Sequence, residues 1–280
     1  MKKFAGISSE FTLLDTSNII LQSIPYDGTS TWGKGADKGF EAFLEAAENM
    51  ELYDIETDFE VYLKGIHLPE EWNDFASAED MFHKVYKRTK SLLELNKYLT
   101  FFGGEHSISI GIIKAFYEKY KNLTVLQLDA HADLRPSYDG TPFNHACALH
   151  DASNHCNLIQ VGIRSMDITE KEFMDYYKVF FGDEIVNDNS WMDRSIELMT
   201  DDIYITLDLD VLDPSIMPAT GTPEPNGLNW SSITRYLQKV FESKNVVGFD
   251  IVELAPIDNL KAPNFLAAKL YYKMLSYKFS

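Results

Sequence analysis

Residues 123–133 read LTVLQLDAHAD, an apolar run that ends in aspartate and histidine at alternate positions. The run is short and partly β-branched, which is typical of a buried strand in a parallel sheet. Side chains two residues apart on extended backbone point to the same side. Asp129, His131 and Asp133 therefore form a cluster of metal-binding groups at the end of a predicted strand. A solvated turn is the alternative interpretation of this stretch taken alone.

A second stretch repeats this arrangement further along the chain. Residues 203–210 read IYITLDLD, so Asp208 and Asp210 again follow an apolar run and share one side. Ligands of open α/β sheets bind outside the carboxyl ends of the strands, so we expect the two clusters to be halves of one site. This context argues against the solvated turn.

A third apolar run brings a histidine to the same edge. Residues 98–107 read YLTFFGGEHS, a predicted strand that ends in two glycines. Ser107 is predicted to cap a helix from Ile108 to about Lys119. His106 thereby reaches the rim where the two acidic clusters lie.

Strand-like and helix-like segments alternate along the rest of the chain. Further strands are predicted at 18–24, 52–57, 157–163, 179–181 and 246–251, and further helices at 39–50, 78–96, 170–177, 191–198, 231–243 and 263–277. This alternation indicates an α/β fold with a mostly parallel central sheet and helices on both faces, a three-layer α-β-α architecture. Residues 1–280 are predicted to form one domain. Segment 58–80 is predicted as a surface loop over the sheet edge.

Composition narrows the range of partners. The chain has 280 residues and a net charge of −18, with no basic run long enough to follow a phosphate backbone, so we expect no nucleic-acid partner. A small cationic substrate is favoured instead. Cys147 and Cys156 cannot form a disulfide framework. No secretory signal or membrane-spanning stretch is predicted, so we expect a soluble cytoplasmic protein without a membrane partner.

The candidate site combines two imidazoles with four carboxylates, contributed by His106, His131, Asp129, Asp133, Asp208 and Asp210. Four carboxylates at one rim repel each other, and some would stay protonated without cations. Two divalent ions would neutralise them. Oxygen-rich ligands with a minority of imidazole suit Mn²⁺, with Co²⁺, Ni²⁺ and Zn²⁺ as open alternatives. Such a pair of ions lowers the pKa of a shared water, which indicates hydrolysis.

Three motifs together resemble the signatures of the ureohydrolase family, whose members include arginase and agmatinase. They are GGEHS at 103–107, DAHAD at 129–133, and DLDVLDP at 208–214 followed by PATGTPE at 218–224. The resemblance extends from IPYDGT at 24–29 to DIVELAP at 250–256, so it covers most of the chain. It implies an arginase/deacetylase-like fold, two manganese ions per chain and a homo-oligomer, either a trimer or a hexamer.

The resemblance also implies a role for each metal-binding candidate. One manganese would be held by His106, Asp129, Asp133 and Asp208, and the other by Asp129, His131, Asp208 and Asp210. Asp129 and Asp208 would bridge the two ions. Asp133 is grouped with His145 and Glu253 as predicted catalytic residues.

Further residues are implied to act on the substrate. Glu253 matches the acid that grips the guanidinium, and a planar cation favours a paired acceptor at this rim. His145 resembles the mobile histidine that transfers protons to the leaving amine, a task suited to imidazole near neutral pH. His150 and His155 are interpreted as structural. Asp167 is a candidate to face the distal amine of the substrate, as the corresponding acid does in arginases.

The implied reaction is hydrolysis of a guanidino C–N bond, which releases urea and an amine. Residues 24–29 look more like the agmatinase branch, and LRPSYDGT at 134–141 shows no match to the arginase residues that hold an α-carboxylate and α-amine. Agmatine, giving putrescine and urea, is therefore the expected substrate. Arg135 favours a substrate carboxylate instead, as in guanidinobutyrate or formiminoglutamate. Arginine and guanidinopropionate are further alternatives.

Two other classes of function are open. A zinc deacetylase-like amidohydrolase on the related fold would hold one ion rather than two, and the full set of ligands argues against it. A non-catalytic member kept as a scaffold would usually lack a ligand, and none is lost here. A metal count near two per chain would separate the expected enzyme from both.

Overall fold

The computed structural model describes residues 2–186 and 188–280. Its strands are β1 (Ile19–Ile24), β2 (Ile66–His67), β3 (Tyr98–Gly103), β4 (Thr124–Leu128), β5 (Asn157–Ile163), β6 (Val179–Phe181), β7 (Asp202–Asp208) and β8 (Asn245–Val252). Its α-helices are α1 (Gly39–Ala47), α2 (Ala78–Leu93), α3 (Ile108–Lys119), α4 (His150–His155), α5 (Gly182–Ile185), α6 (Ser190–Glu197), α7 (Trp230–Ser243) and α8 (Ala262–Phe279). Within the described ranges, no helix combines the length and the apolar composition that a membrane span requires.

The strands form a single parallel sheet in the order β2-β1-β3-β8-β7-β4-β5-β6. Successive residues of a strand point to opposite faces, so Phe101 lies in the core on one face and Phe102 in the core on the other. Helices α2, α3 and α4 pack into the core that contains Phe101. Helices α1, α7 and α8 pack into the core that contains Phe102. The predicted three-layer α-β-α fold is confirmed.

The segment predicted as a strand at 52–57 does not join the sheet, so this prediction is wrong. The Asp54 carboxylate accepts the backbone N–H groups of Glu56 and Thr57 at 3.0 and 3.1 Å, which closes a turn. Segment 58–80 supplies the edge strand β2, so it is not entirely a surface loop. It is tied to β1 by the Trp72 N–H, which donates to the carbonyl of Ser23 at 3.1 Å.

The helix predicted at 170–177 is also wrong. The structure has two 3-10 turns there, Ile168–Phe173 and Tyr176–Lys178. The Asp175 carboxylate accepts the Tyr177 N–H at 3.2 Å and starts the second turn. A local side-chain acceptor of this kind offers the backbone an alternative to a continuous helix.

A buried ion pair fixes the turn after Leu52 against α8. Lys273 on α8 is buried, and its Nζ lies 3.0 Å from the Asp54 carboxylate and also contacts Glu56. We expect Lys273→Met to lower the free energy of unfolding by about 3–5 kcal/mol, because it leaves Asp54 as an unpaired buried charge. Urea denaturation measures this loss. Lys269→Met, on a more exposed position of α8, should change the free energy by less than about 0.5 kcal/mol, and equal losses in both variants would contradict the prediction.

Candidate metal centre

The site lies at the carboxyl ends of four neighbouring strands. The sheet order β3-β8-β7-β4 places the segments after these strands next to one another. His106 follows β3, Glu253 follows β8, Asp208 ends β7 and Asp129 follows β4. Helices and loops that leave this edge can therefore direct polar groups into one space, as in other open α/β sheets.

Three carboxylates surround one ring nitrogen of His106. Its Nδ1 lies 3.1 Å from Asp129 Oδ2, 3.2 Å from Asp133 Oδ2 and 3.4 Å from Asp208 Oδ2. All four side chains are buried. The structure thus brings together the four side chains that the family resemblance implies for the first ion.

A second imidazole lies on the other side of Asp129. His131 Nδ1 is 2.9 Å from Asp210 Oδ2 and 3.7 Å from Asp129 Oδ1. Donor atoms of Asp129, His131 and Asp210 lie close enough together to hold one cation, as do those of His106, Asp129 and Asp208. Asp129 belongs to both groups, so a cation in each would share this carboxylate.

Backbone amides hold the carboxylates in place. The N–H of His131 donates to Asp129 Oδ1 at 2.6 Å, and the N–H of Asp210 donates to Asp208 Oδ1 at 2.8 Å. The N–H of Ala130 donates to Asp210 Oδ1 at 3.0 Å and joins the two acidic segments. Each carboxylate keeps its other oxygen directed at an imidazole. The donor atoms are therefore positioned by the folded chain itself.

Hydrogen bonding places a proton on Nε2 of His106. The Thr206 hydroxyl donates to the Asp250 carboxylate at 2.7 Å and lies 2.9 Å from His106 Nε2. A hydroxyl has one proton to donate, so Nε2–H must be the donor to Thr206. The other ring nitrogen, Nδ1, faces three carboxylate oxygens, so this position favours positive charge, either a proton on Nδ1 or a metal ion that Nδ1 and the carboxylates bind together.

The pKa shifts of the site also indicate that positive charge is favoured among these carboxylates. Burial, together with the nearby Asp129 carboxylate, raises the pKa of Asp133 to about 7. Burial and Asp210 raise the pKa of Asp208 well above its usual range. Burial lowers the pKa of His106, but the three carboxylates outweigh it and raise that pKa well above its ordinary value. Each shift shows that added positive charge is stabilised here, so the donor set fits divalent cations.

Glu253 lies beside this cluster on a strained backbone. Its φ is 67°, a left-handed conformation that costs a residue with a Cβ about 1–2 kcal/mol. Its buried carboxylate accepts the backbone N–H of His106 at 2.9 Å through Oε1. Burial and the neighbouring Glu105 raise the pKa of Glu253 well above its usual range. This carboxyl group therefore favours a cationic partner.

The cluster opens into a cavity of about 280 Å³ that both His145 and Glu253 line. His145 begins a 3-10 turn that the Asn144 side chain caps. Burial, together with positive charge on His106 and His131, lowers the pKa of His145 to about 4. The half-buried His145 ring is thus a neutral imidazole at neutral pH. His150 is bonded through Nδ1 to the carbonyl of Leu134, which suits the structural role predicted for it.

Asp167 and Arg135 lie together at the mouth of the cavity. Asp167 Oδ1 accepts the N–H and the hydroxyl of Thr169 at 3.0 and 2.6 Å, so this oxygen caps a turn. Asp167 Oδ2 lies 3.6 Å from the Arg135 guanidinium. The guanidinium also stacks over the Tyr138 ring, 4.7 Å from its centroid. One oxygen of Asp167 therefore remains for a substrate, and Arg135 competes for it.

Some supporting residues were not singled out in the sequence. Thr206 and Gln127 are buried polar residues two positions before Asp208 and Asp129 in otherwise apolar strands. The Gln127 amide donates to Asp129 Oδ2 at 2.8 Å. A polar residue inside a buried strand was the signal, since it must find a partner. The predicted cap by Ser107 is wrong, because its N–H and hydroxyl donate to Glu105 instead.

Comparison with known proteins identifies the family. Residues 17–276 match the model of the arginase family. The chain is 30% identical to an N(1)-aminopropylagmatine ureohydrolase of Synechocystis sp., over 96% of this chain and 92% of that protein. It is also 30% identical to an agmatinase of Bacillus cereus, over 93% of this chain and 92% of that protein.

A solved structure adds the fold to this comparison. The agmatine ureohydrolase of Thermoplasma volcanium matches with a TM-score of 0.84 and 28% identity, covering 99% of this chain and 94% of that one. The family expected from the three motifs is confirmed over nearly the whole chain. This chain belongs to the arginase family and is one of its ureohydrolases.

Proposed function

We propose that the chain hydrolyses agmatine to putrescine and urea at the site formed by the two acidic segments. The observation that carries the proposal is the buried Glu253 carboxylate beside the His and Asp cluster, in a cavity about 280 Å³ in volume. A guanidinium is a planar cation that a carboxylate binds through paired hydrogen bonds. Agmatine carries such a group at one end and an amine at the other.

Glu253 binds and orients the guanidinium. Its Oε1 accepts the His106 N–H, which fixes the carboxylate and leaves Oε2 for the substrate. Burial and the neighbouring Glu105 raise the pKa of Glu253, and a bound guanidinium cation favours its ionised form. Substrate binding and ionisation of Glu253 are therefore coupled, and the guanidinium carbon is held next to the cluster.

His145 transfers the proton that the leaving amine requires. Its ring is neutral at neutral pH, so it first takes this proton from the water that adds to the guanidinium carbon. C–N cleavage leaves an amine that must be protonated, and a histidine that lines the cavity can donate to it. The low pKa of His145, about 4, means that a proton on its ring is readily given up. The amine product then leaves with the proton and urea remains.

The predicted ligands would hold two Mn²⁺ ions, with Asp129 and Asp208 shared between them. Bound divalent ions supply Lewis acidity and a nucleophile at neutral pH. The donor set of carboxylates with two imidazoles suits Mn²⁺, and it contains no thiolate of the kind that structural zinc sites use. Strands β3, β7 and β4 end at the same edge of the sheet, and this positions the metal-binding side chains.

N(1)-aminopropylagmatine is the second candidate substrate. The relative from Synechocystis carries that name, and it shares 30% of aligned residues with this chain. The two substrates share the guanidino end and differ in the tail that extends to the mouth of the cavity. Residues at the mouth, including Asp167 and Arg135, therefore decide between them rather than Glu253.

A substrate panel tests the proposal directly. Urea release is measured from agmatine, N(1)-aminopropylagmatine, arginine, guanidinobutyrate and guanidinopropionate, with formamide release from formiminoglutamate. We expect the highest kcat/KM for agmatine. A higher value for N(1)-aminopropylagmatine would support the second candidate and overturn the first. No urea from any of these compounds, in protein that carries its metal, would reject the proposed reaction.

Arg135 provides a sharper test of the tail specificity. We expect Arg135→Met to raise kcat/KM for agmatine about fivefold, because it removes a cation at the mouth and frees Asp167 Oδ2. The same variant should lower any activity on guanidinobutyrate, whose carboxylate Arg135 can pair with. Lys171→Met removes an exposed cation from the turn after Asp167 and serves as the matched control. A drop in agmatine turnover for Arg135→Met would contradict this prediction.

A further inference from the structure

We infer that Thr29, supported by Glu105, fixes the tautomer and orientation of His145, and so acts as a positioning residue for the proton transfer. The inference rests on the proposed function, in which His145 protonates the leaving amine. Thr29 lies in the loop after β1, and Glu105 lies in the segment after β3. Both segments sit at the same sheet edge as the cavity.

Three polar groups converge on the Thr29 hydroxyl. Its Oγ1 lies 2.8 Å from Glu105 Oε1 and 3.1 Å from His145 Nδ1. The backbone N–H of His145 also donates to it, at 3.0 Å. Thr29 thus joins the buried carboxylate of Glu105 to both the ring and the backbone of His145.

Proton counting assigns the direction of each bond. A hydroxyl has one proton and two acceptor lone pairs, whereas an ionised carboxylate can only accept. Thr29 therefore donates to Glu105 and accepts twice, from the His145 backbone N–H and from its Nδ1–H. The reverse arrangement, with Thr29 donating to Nδ1, would leave oxygen lone pairs facing each other at 2.8 Å.

Glu105 is organised to accept this bond. It is fully buried, and its carboxylate receives four donors, the N–H and hydroxyl groups of Thr29 and of Ser107. Four donors on two oxygens are what a carboxylate requires when water is excluded. Its orientation is therefore fixed, and it holds the hydroxyl of Thr29 in one rotamer.

The bond to Thr29 determines which ring nitrogen of His145 carries the proton. With the proton held on Nδ1, the lone pair lies on Nε2, on the ring edge away from Thr29, in a residue that lines the cavity. Nε2 can then take the proton that the attacking water releases and pass it to the leaving amine. The imidazolium that forms in between is stabilised through the polarised Thr29 hydroxyl. Without Thr29, the ring is free to adopt the Nε2–H tautomer that histidine prefers in water.

Kinetics of matched variants test the positioning role. Thr29→Val keeps the shape of the side chain and removes the hydroxyl, whereas Thr29→Ser keeps the hydroxyl. We expect Thr29→Val to lower kcat for urea release about 10-fold to 100-fold, at or below the lower end of the roughly 100-fold to 10,000-fold range for general acid catalysis, because the imidazole itself is retained. KM should change by less than about twofold, because Thr29 acts through His145, and Thr29→Ser should restore kcat to within about threefold of wild type. Metal content and the unfolding midpoint are measured in every variant.

A double-mutant cycle separates this role from a structural one. If Thr29 acts only through His145, the double variant Thr29→Val/His145→Asn is no slower than His145→Asn alone. Additive losses would overturn the inference. A slow His145→Asn with an unaffected Thr29→Val would overturn the positioning role and leave the proposed function standing. Wild-type turnover in His145→Asn would reject the proposed proton donor and the inference with it.

Nitrogen NMR gives a readout that does not depend on turnover. In the full chain loaded with diamagnetic Zn²⁺ and labelled with ¹⁵N-histidine, the His145 signals are assigned by their loss in His145→Asn. We expect the neutral ring to carry its proton on Nδ1 in the wild type and to shift towards Nε2–H in Thr29→Val. An Nε2–H tautomer in the wild type would overturn the inference.

Discussion

Replacing Asp129 by asparagine will lower kcat/KM for urea release about 1,000-fold or more, which corresponds to about 4 kcal/mol of transition-state stabilisation. Asp129 is the carboxylate common to both cation-binding groups, and it contacts His106 and His131 on opposite sides. Asparagine retains the shape and the bond from the His131 N–H, but it removes one negative charge from a buried site. The substitution therefore weakens the binding of both metal ions.

The metal content of the variant is the decisive measurement. Elemental analysis after dialysis should find about two Mn²⁺ per wild-type chain and at most one per Asp129→Asn chain. Asp175→Asn is the control variant, because it removes an exposed aspartate that caps the short turn Tyr176–Lys178. This variant should keep both ions and normal turnover. Two tightly held ions in Asp129→Asn, or full activity of the wild type after exhaustive chelation, would reject the proposed metal centre.

Glu253→Gln is expected to lower kcat/KM by about 100-fold to 1,000-fold, the cost of losing a buried charged hydrogen bond and creating a repulsive one. The His106 N–H requires an acceptor, so the amide oxygen of the glutamine must face it, as Oε1 does now. The amide NH₂ then points to the position that the substrate guanidinium would occupy. Both groups are hydrogen-bond donors, so they repel each other. The substitution replaces an attraction by a repulsion with almost no change in volume.

Glu253→Gln should leave the metal centre and the fold intact. Metal content and the free energy of unfolding should stay near the wild-type values, because the bond to His106 is retained. Glu172→Gln removes the same charge from an exposed residue of the turn that follows Asp167, and its kcat/KM should stay within about threefold of wild type. Equal losses in the two variants would show that net charge, and not the contact of Glu253, guides the substrate.

Much of the fold was predictable because buried parallel strands have a distinctive composition. The runs at 98–102, 123–128 and 203–207 are apolar on both faces, and each corresponds to a central strand of the sheet. The errors occurred where local side-chain acceptors decide the backbone. Asp54 closes a turn at the predicted strand 52–57, and Asp175 interrupts the predicted helix 170–177. β2 has two residues, which is too short for any periodic pattern to predict.

The candidate site was predictable to the extent that its residues are close in sequence. Asp129, His131 and Asp133 lie within five positions, so their juxtaposition follows from strand geometry and the turn after it. The bonds from Thr29 to Glu105 and His145 join residues 76 and 116 positions apart, and no local pattern contains them. The pairing of Arg135 with Asp167 depends in the same way on where two loops meet.

The sequence by itself determined the chemistry of the chain: an α/β fold, the donor types and the family motifs, all of which depend on residues within one segment. The tertiary structure decided which segments share an edge, because the order β3-β8-β7-β4 is set by packing between distant strands. That order places Glu253 between His106 and Asp208. The fold also shifts the pKa values of Asp133 and Glu253, because it buries both groups and brings the Glu105 carboxylate close to Glu253.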